Sequence, residues 1–134
     1  MANDCIPFYR PGEDVTVQAS AAITGKRFIA PSGDRLSGPG LSATAEGSNY
    51  RGAHCGAGLA AVGVSMYDCP IGGKVGIIMD GIVPVTAGAA LTAGHAVQSD
   101  GTGQAIVLAS GVKLGVVMTG CSSGADAEIA LQLS

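Results

Sequence analysis

The sequence predicts an all-β protein, a compact barrel or sandwich of short antiparallel strands with at most one short helix. Apolar or alternating runs recur at intervals near ten residues, and turn-forming pairs such as Asp80-Gly81 separate them. The chain has no strand–helix–strand unit of the roughly 30 residues that a parallel α/β sheet requires. Finally, the second half of the chain partly repeats the first.

Glycines and apolar residues carry this internal pseudo-repeat. Five features recur 52 positions later: Gly63-Val64 as Gly115-Val116, Met66 as Met118, Cys69 as Cys121, Gly72 as Gly124, and Ile77 as Ile129. A second match relates residues 21–25 to residues 89–94. Because glycine sets turns and apolar groups fill cores, the repeat indicates a duplicated scaffold rather than a duplicated reactive site.

The composition favours a protein that associates with other proteins. With 134 residues the chain is expected to form one arm, at 1–14, and one β domain, at 15–134. Charged residues make up 13% of it, which is about half of the ~25% share in soluble domains. A surface with so little charge leaves apolar patches, and large exposed patches usually mark association surfaces.

An extended N-terminal arm is predicted at residues 1–14. Two prolines flank Phe8-Tyr9-Arg10 and keep this segment out of a central strand. Two interpretations stand side by side: Phe8 and Tyr9 fold back onto their own core, or the arm docks on a neighbouring protein. Aromatic residues and arginine are the types that dominate interface hot spots.

The remaining elements follow in chain order. Predicted strands lie at 15–17, 27–30, 59–66, 74–79, 82–85, 89–92, 95–98, 104–108, 112–118 and 128–133. Residues 34–52 are rich in Gly, Ser and Ala, have no counterpart in the second half, and are interpreted as an inserted loop with at most one short strand. The alanine-rich segment 87–93, which contains the predicted strand 89–92, is alternatively the place for the one short helix. Asp80-Gly81 predicts a hairpin.

Several classes of function are disfavoured. The net charge of −3 gives no electrostatic footprint for nucleic acid. The sequence contains no run of 18 apolar residues, so no membrane span is predicted. The start of the chain lacks the pattern of a signal peptide. The adjacent pair Lys26-Arg27 is interpreted as a solvated strand end. Neither Gly-Lys pair, at 25–26 or 73–74, has the surrounding residues of a phosphate loop.

No catalytic residue, metal site or cofactor is predicted. His54 adjoins Cys55, but neighbours on a strand point to opposite faces, which is wrong for a thiol–imidazole pair. His95 is expected to face solvent. Cys5, Cys55, Cys69 and Cys121 lack metal-ligand spacing and are interpreted as reduced thiols, with a disulfide formed outside the cytosol as the alternative. The scattered acidic residues are interpreted as turn and edge charges.

Taken together, the motifs resemble those of the capsid decoration, or cement, proteins of tailed bacteriophages. The resemblance covers nearly the whole chain and is carried by Tyr9-Arg10-Pro11-Gly12-Glu13-Asp14, Gly25-Lys26-Arg27-Phe28-Ile29, Gly72-Gly73-Lys74-Val75, Gly81-Ile82-Val83-Pro84-Val85 and the ending Glu128-Ile129-Ala130-Leu131. It implies a virion protein, made in the host cytoplasm, that binds the outside of the icosahedral head as a trimer and bridges major capsid subunits. In this interpretation Ile6, Phe8, Tyr9 and Arg10 contact the capsid.

Besides a cytosolic oligomeric binding protein unrelated to phage, two other classes of function stay open at this point. One is a different virion structural role, such as a head fibre base or a tail element, which also needs a β-rich unit that self-associates. The other is a small ligand-binding or enzymatic β-barrel that uses His54, His95 or a cysteine, and a closed pocket with a histidine beside a thiol would favour it.

Overall fold

The computed structural model describes residues 14–34 and 49–133, and within them the chain forms ten strands and no helix. The strands are β1 (Asp14–Ala19), β2 (Phe28–Gly33), β3 (Tyr50–His54), β4 (Gly63–Ser65), β5 (Lys74–Ile78), β6 (Ile82–Thr86), β7 (Ala96–Ser99), β8 (Ala105–Val107), β9 (Gly115–Thr119) and β10 (Asp126–Leu131). The predicted all-β class is confirmed.

The strands form two successive units. The first unit, β1 to β5, is a closed barrel with strand order β1-β3-β2-β4-β5. The second unit, β6 to β10, is a five-stranded sheet with order β6-β10-β9-β7-β8. The paired strands are antiparallel except β1 and β3, which pair in parallel with Ala19 opposite Gly52. The expectation of antiparallel strands alone is therefore wrong at this one pair.

The two units repeat the same strand register. Val17 lies opposite Val75 in the β1–β5 ladder, and Val85 lies opposite Ala127 in the β6–β10 ladder. Val17 and its equivalent Val85 are 68 positions apart, whereas Val75 and its equivalent Ala127 are 52 positions apart. The same two displacements relate the β2–β4 ladder to the β7–β9 ladder. The pseudo-repeat in the sequence is thus a repeat of the fold.

The difference between these displacements reflects an insertion between β2 and β3. In the first unit this connection runs from Gly33 to Tyr50, whereas the equivalent connection from β7 to β8 runs only from Ser99 to Ala105. The predicted loop 34–52 falls in this connection, but its last residues, from Tyr50 on, form the start of β3. Residues 35–48 lie outside the described part of the chain.

The segment 87–93 is not helical. Leu91 forms an antiparallel bridge with Cys121, and Ile23 forms the equivalent bridge with Cys69 in the first unit. Two backbone hydrogen bonds close each bridge, for example from Leu91 N–H to the Cys121 carbonyl at 2.9 Å. These hydrogen bonds to a segment distant in the sequence outweigh the helical preference of a short alanine-rich segment. In the described part of the chain, no helix is long and apolar enough to span a membrane.

The hairpin predicted at Asp80-Gly81 is wrong. The Asp80 side chain does accept a hydrogen bond from the Gly81 amide at 2.8 Å, and Gly81 has a φ of 108°, as a tight turn requires. However, β5 pairs with β1 and β4, whereas β6 pairs with β10. The turn therefore carries the chain from the first unit into the second instead of joining two paired strands.

The buried apolar residues form two clusters. The smaller one fills the first barrel and includes Val17, Ile29, Val75 and Ile77. The larger one fills the second unit, and it also contains Phe28 from the outer side of β2. Because successive strand residues point to opposite faces, Ile29 packs inside its own barrel and Phe28 packs into the other unit.

The contact between the units, called the seam below, is formed by residues 26–28 and 54–55 of the first unit and residues 86 and 99–104 of the second. The Phe28 amide donates to the Gly103 carbonyl at 2.8 Å, and the Thr86 amide donates to the Lys26 carbonyl at 2.9 Å. In the second unit β6 and β8 meet directly only at the Ala87–Ala105 bridge. Residues 26–28 bond to both sides of this incomplete closure.

Candidate functional site

A concave feature lies in the first barrel and is called the barrel pocket. Its volume is about 380 Å³. Residues from all three strands β1, β2 and β3 line it, together with residues before β4 and at the end of β5: Val15, Ile29, Tyr50, Arg51, Val62 and Met79 among them. Cavities of ~300–1,000 Å³ are typical of ligand sites, so this pocket has room for one large side chain or a small apolar molecule.

The chemistry of the barrel pocket is almost entirely apolar. Among the described residues that line it, Arg51 is the one that carries a charge. The Nε atom of Arg51 is buried and has no hydrogen-bond partner among the described residues. The described lining residues include neither a histidine nor a cysteine. The pocket is suited to binding by hydrophobic burial.

A polar network occupies the seam instead. One carboxylate oxygen of Asp100 accepts hydrogen bonds from the Thr102 amide at 2.8 Å and the Gln104 amide at 3.0 Å. Arg27 donates to the Thr102 carbonyl at 3.1 Å. These bonds order the 99–104 turn and bind it to the first unit, which is a structural role.

His54 lies at the same seam. Its Nε2 atom accepts a hydrogen bond from the Thr24 amide at 2.9 Å, which requires this nitrogen to be unprotonated. Burial lowers the pKa of His54 below its usual 6.5, and the nearby Arg27 charge lowers it further. The imidazole is therefore engaged with the backbone as an acceptor.

The described cysteines are free thiols without a nucleophilic environment. Cys55 is buried and its Sγ donates to the Leu59 carbonyl at 3.3 Å. Burial raises the pKa of the Cys55 thiol and also that of Cys121. A raised pKa disfavours the thiolate, the reactive form. Cys69 is buried as well, and Cys5 lies outside the described residues.

The adjacent basic residues are not simply solvated, contrary to the sequence-based expectation. Lys26 Nζ lies 2.6 Å from a carboxylate oxygen of Asp126, and Arg27 bonds to the second unit as described above. The hydrogen bond from Lys26 lowers the pKa of Asp126. Lys26 also has a φ of 61°, in the left-handed region that favours glycine, and Gly94 occupies the equivalent position in the second unit. Both basic residues hold the units together.

The acidic residues behave largely as turn residues. Asp68 accepts from the Gly25 amide at 2.8 Å, and Asp80 and Asp100 accept from amides in their own turns. Within residues 14–34 and 49–133, no cluster of His, Cys, Asp and Glu has the arrangement of a metal site. His95 is exposed, as expected.

The surface carries several large apolar side chains. Ile71 is 70% exposed, Leu59 is 60% exposed and Ile82 is 59% exposed. Met66 and Met118, which occupy equivalent positions in the two units, are about half exposed. Single exposed apolar residues are ordinary, but this number on a chain of low charge is typical of a protein that contacts others.

The predicted contact residues Ile6, Phe8, Tyr9 and Arg10 lie outside the described residues, so their role stays a prediction.

The barrel pocket was not predicted from the sequence. The signal for it was present in the repeat, because the pocket residues Val15, Val62 and Met79 correspond to Val83, Leu114 and Leu131.

The described residues thus define a duplicated β scaffold with an apolar pocket and a structural seam. The chain belongs to the phage cement protein family, whose model matches residues 9–133. It is accordingly a structural protein of the phage head, as the resemblance implied. A search of curated proteins gave no significant match.

Among solved structures, the chain is similar to the N base of the head fibre protein gp8.5 of bacteriophage phi29, a crystal structure. The TM-score is 0.70 at 15% sequence identity, and the similarity covers 90% of this chain and 94% of that one. At this identity the similarity concerns the fold.

Proposed function

We propose that the protein decorates the outer surface of an icosahedral phage head as a homotrimer and stabilises the head by bridging neighbouring major capsid subunits. The observation that carries the proposal is the family match over residues 9–133, which includes residues 9–14 of the arm together with both units. The exposed apolar side chains support a role in protein–protein contact, because burying them at an interface is favourable by about 25 cal/mol per Å².

The same proposal assigns attachment to the arm. Ile6, Phe8, Tyr9 and Arg10 combine apolar, aromatic and guanidinium groups within five positions. Such residues supply most of the binding energy in protein interfaces. An extended segment can also lie across the boundary between two shell subunits, which is the geometry that bridging needs.

A direct experiment mixes the purified protein with expanded empty heads of the phage that encodes it and measures occupancy by co-sedimentation. Deletion of residues 5–12 is expected to abolish most of the binding while the circular dichroism of the free protein stays unchanged. Unchanged occupancy would show that the arm is not the attachment site. Light scattering after size-exclusion chromatography tests the trimer separately.

A head fibre base is the second candidate, and the fold similarity to the phi29 protein favours it. The two functions differ in copy number, because a cement protein covers the shell whereas fibres occupy fewer sites. Quantitative densitometry of purified particles separates them: a ratio to the major capsid protein near that of full decoration supports a cement role.

A further inference from the structure

The outer face of the second sheet carries a row of apolar side chains that crosses the four strands β6, β10, β9 and β7. The register places its members side by side: Ile82 opposite Ala130, Ala130 opposite Val116, and Val116 opposite Ala96. In each strand the residue beside them belongs to the core of the second unit, so these four side chains point away from that core. They are called the outer row.

The first unit contains the same row, and there it is covered. Phe28 lies opposite Val64, and Val64 lies opposite Ile78. The displacements of 68 and 52 positions make these residues the equivalents of three members of the outer row. Phe28 and Val64 are exposed by 0% and 1% and belong to the cluster that fills the second unit, and Ile78 packs against this cluster. A unit of the same fold therefore covers the row of the first unit.

The outer row of the second unit remains accessible. Ile82 is 59% exposed and the other three members are partly exposed. At the position of Ile82 the first unit has Asp14, which lies opposite Ile78. Where the covered row ends in a charged residue, the outer row thus ends in an exposed isoleucine. A sheet face that is in contact with water usually carries polar residues, so this apolar face is unusual.

The surroundings of the outer row resemble an interface in their chemistry. Pro84, two positions after Ile82 on the same face, is exposed, and Met118, two positions after Val116, is 52% exposed. Glu128 lies opposite Pro84 and is exposed. An apolar centre with polar groups at its edge is the usual arrangement of a protein–protein contact.

We propose that a second copy of this chain covers the outer row. The contact inside the molecule shows which surface fits such a row, namely an apolar surface of a unit of this fold, and every further copy supplies two such units. The inference deepens the proposed function, on which it rests for the number of copies, because it identifies the face through which the copies of the trimer contact one another. In a cyclic trimer the row meets a different surface of its neighbour, just as the first row meets the core of the second unit.

The test uses the free full-length protein, without phage heads, and measures its molar mass by light scattering after size-exclusion chromatography. We expect an oligomer at micromolar concentration. Val116→Lys places an ammonium group in the centre of the outer row and should weaken association at least ~100-fold, because burial of an unpaired charge is costly. Val112→Lys is the matched control, since Val112 is 45% exposed and lies outside the row, and its oligomer should persist. An unchanged oligomer of folded Val116→Lys overturns the proposal.

A second pair of variants keeps the test independent of folding effects. Ile82 is 59% exposed within one chain, so Ile82→Lys leaves the packing of the second unit intact, which circular dichroism verifies. It should also dissociate the oligomer, whereas Ile71→Lys, at a position that is 70% exposed and outside the row, should not. Dissociation by Ile71→Lys without dissociation by Ile82→Lys overturns the proposal.

Fluorescence reports directly on the cover of the row. The chain contains no tryptophan, so Ile82→Trp introduces a single indole. We expect blue-shifted emission in the oligomer and a red shift on dilution, over the same concentrations at which the molar mass falls. Ile71→Trp should show solvent-like emission throughout. Solvent-like emission of Ile82→Trp in the oligomer overturns the proposal.

Co-sedimentation with expanded heads separates this inference from the proposed function. A wild-type protein that is monomeric at every concentration overturns the inference, and a loss of head occupancy in Val116→Lys would then assign the outer row to the shell. An oligomer that depends on the outer row but does not bind heads retains the inference and overturns the proposed function.

Discussion

The amide of Phe28 donates a hydrogen bond to the carbonyl of Gly103 at 2.8 Å and thereby joins the two units of the repeat. The bond lies where the edge strands β6 and β8 fail to close completely. Phe28 itself is fully buried in the core of the second unit. The first unit therefore contributes both backbone bonds and an aromatic side chain to the second, and the stability of the two is coupled.

Removal of the Phe28 ring is expected to destabilise the whole protein. Phe28→Ala leaves a cavity in the larger cluster and should lower the free energy of unfolding by ~3–5 kcal/mol. Chemical denaturation followed by circular dichroism measures this loss. Tyr67→Ala removes a ring that is 52% exposed and should change stability by at most about 0.5 kcal/mol. Similar effects for the two variants would contradict the role of Phe28.

Gly103 should not tolerate a side chain. Its φ is 80°, and a Cβ atom there would lie 2.7 Å from the Phe28 carbonyl oxygen, a backbone atom that cannot move without breaking the seam. Gly103→Ala should therefore cost more than the ~1–2 kcal/mol of the left-handed conformation alone. Gly124→Ala is the matched control, because Gly124 has a similar φ of 85° and a Cβ atom added there would have no other atom within 4 Å. Equal destabilisation of both variants would show that the Phe28 contact is unimportant.

Mild acid should weaken the seam through His54. Its pKa is lowered in the folded state, so between that value and the usual 6.5 the unfolded chain binds more protons than the folded one. The stabilisation is complete above about pH 6.5 and declines as the pH falls through this window. Melting temperatures between pH 8 and pH 5 measure it.

Two variants distinguish the source of this pH dependence. His54→Gln retains an acceptor for the Thr24 amide but does not titrate, and the decline should become shallower. His95→Gln removes an exposed imidazole and should leave the curve as it is in the natural protein. A wild-type decline that persists in His54→Gln would assign the effect to a group other than this imidazole.

The Lys26–Asp126 pair should contribute a small, salt-sensitive coupling. Both side chains are partly exposed, at 51% and 38%, so a double-mutant cycle with Lys26→Met and Asp126→Asn should give ~0.2–1 kcal/mol. The coupling should fall in 1 M NaCl, where the Debye length is about 3 Å. Because the pKa of Asp126 is lowered, the coupling is present above its usual 3.8 and is lost as the pH falls further. A coupling indistinguishable from zero at low salt would show that the ion pair does not hold the units together.

Much of the fold could be predicted because its signals are local. The alternation of apolar and polar residues, together with the turn residues, located most strands to within a few residues. The repeat of Gly63-Val64 at Gly115-Val116 correctly identified β4 and β9 as equivalent strands of the two units. The strand β3 was missed because Tyr50-Arg51-Gly52-Ala53-His54 follows a polar, glycine-rich stretch and lacks an alternating apolar pattern. Its neighbours β1 and β2 stabilise it, which is information from elsewhere in the chain.

The site was harder to predict because it depends on how distant segments pack. The chemistry of Asp80-Gly81 specifies a change of direction but not the strand that the next segment joins. Likewise, Val62 and Leu114 are similar residues at equivalent positions, yet Val62 is partly exposed whereas Leu114 is fully buried. The arm residues could be proposed from composition alone, since aromatic residues are costly to leave exposed.

Binding to the phage head is the central claim, and occupancy on expanded empty heads measures it most directly. We expect the full-length protein to saturate the heads at a fixed ratio to the major capsid protein, to raise the temperature at which they rupture, and to lose both effects on deletion of residues 5–12. A folded full-length protein that neither co-sediments with these heads nor changes their rupture temperature would contradict the account.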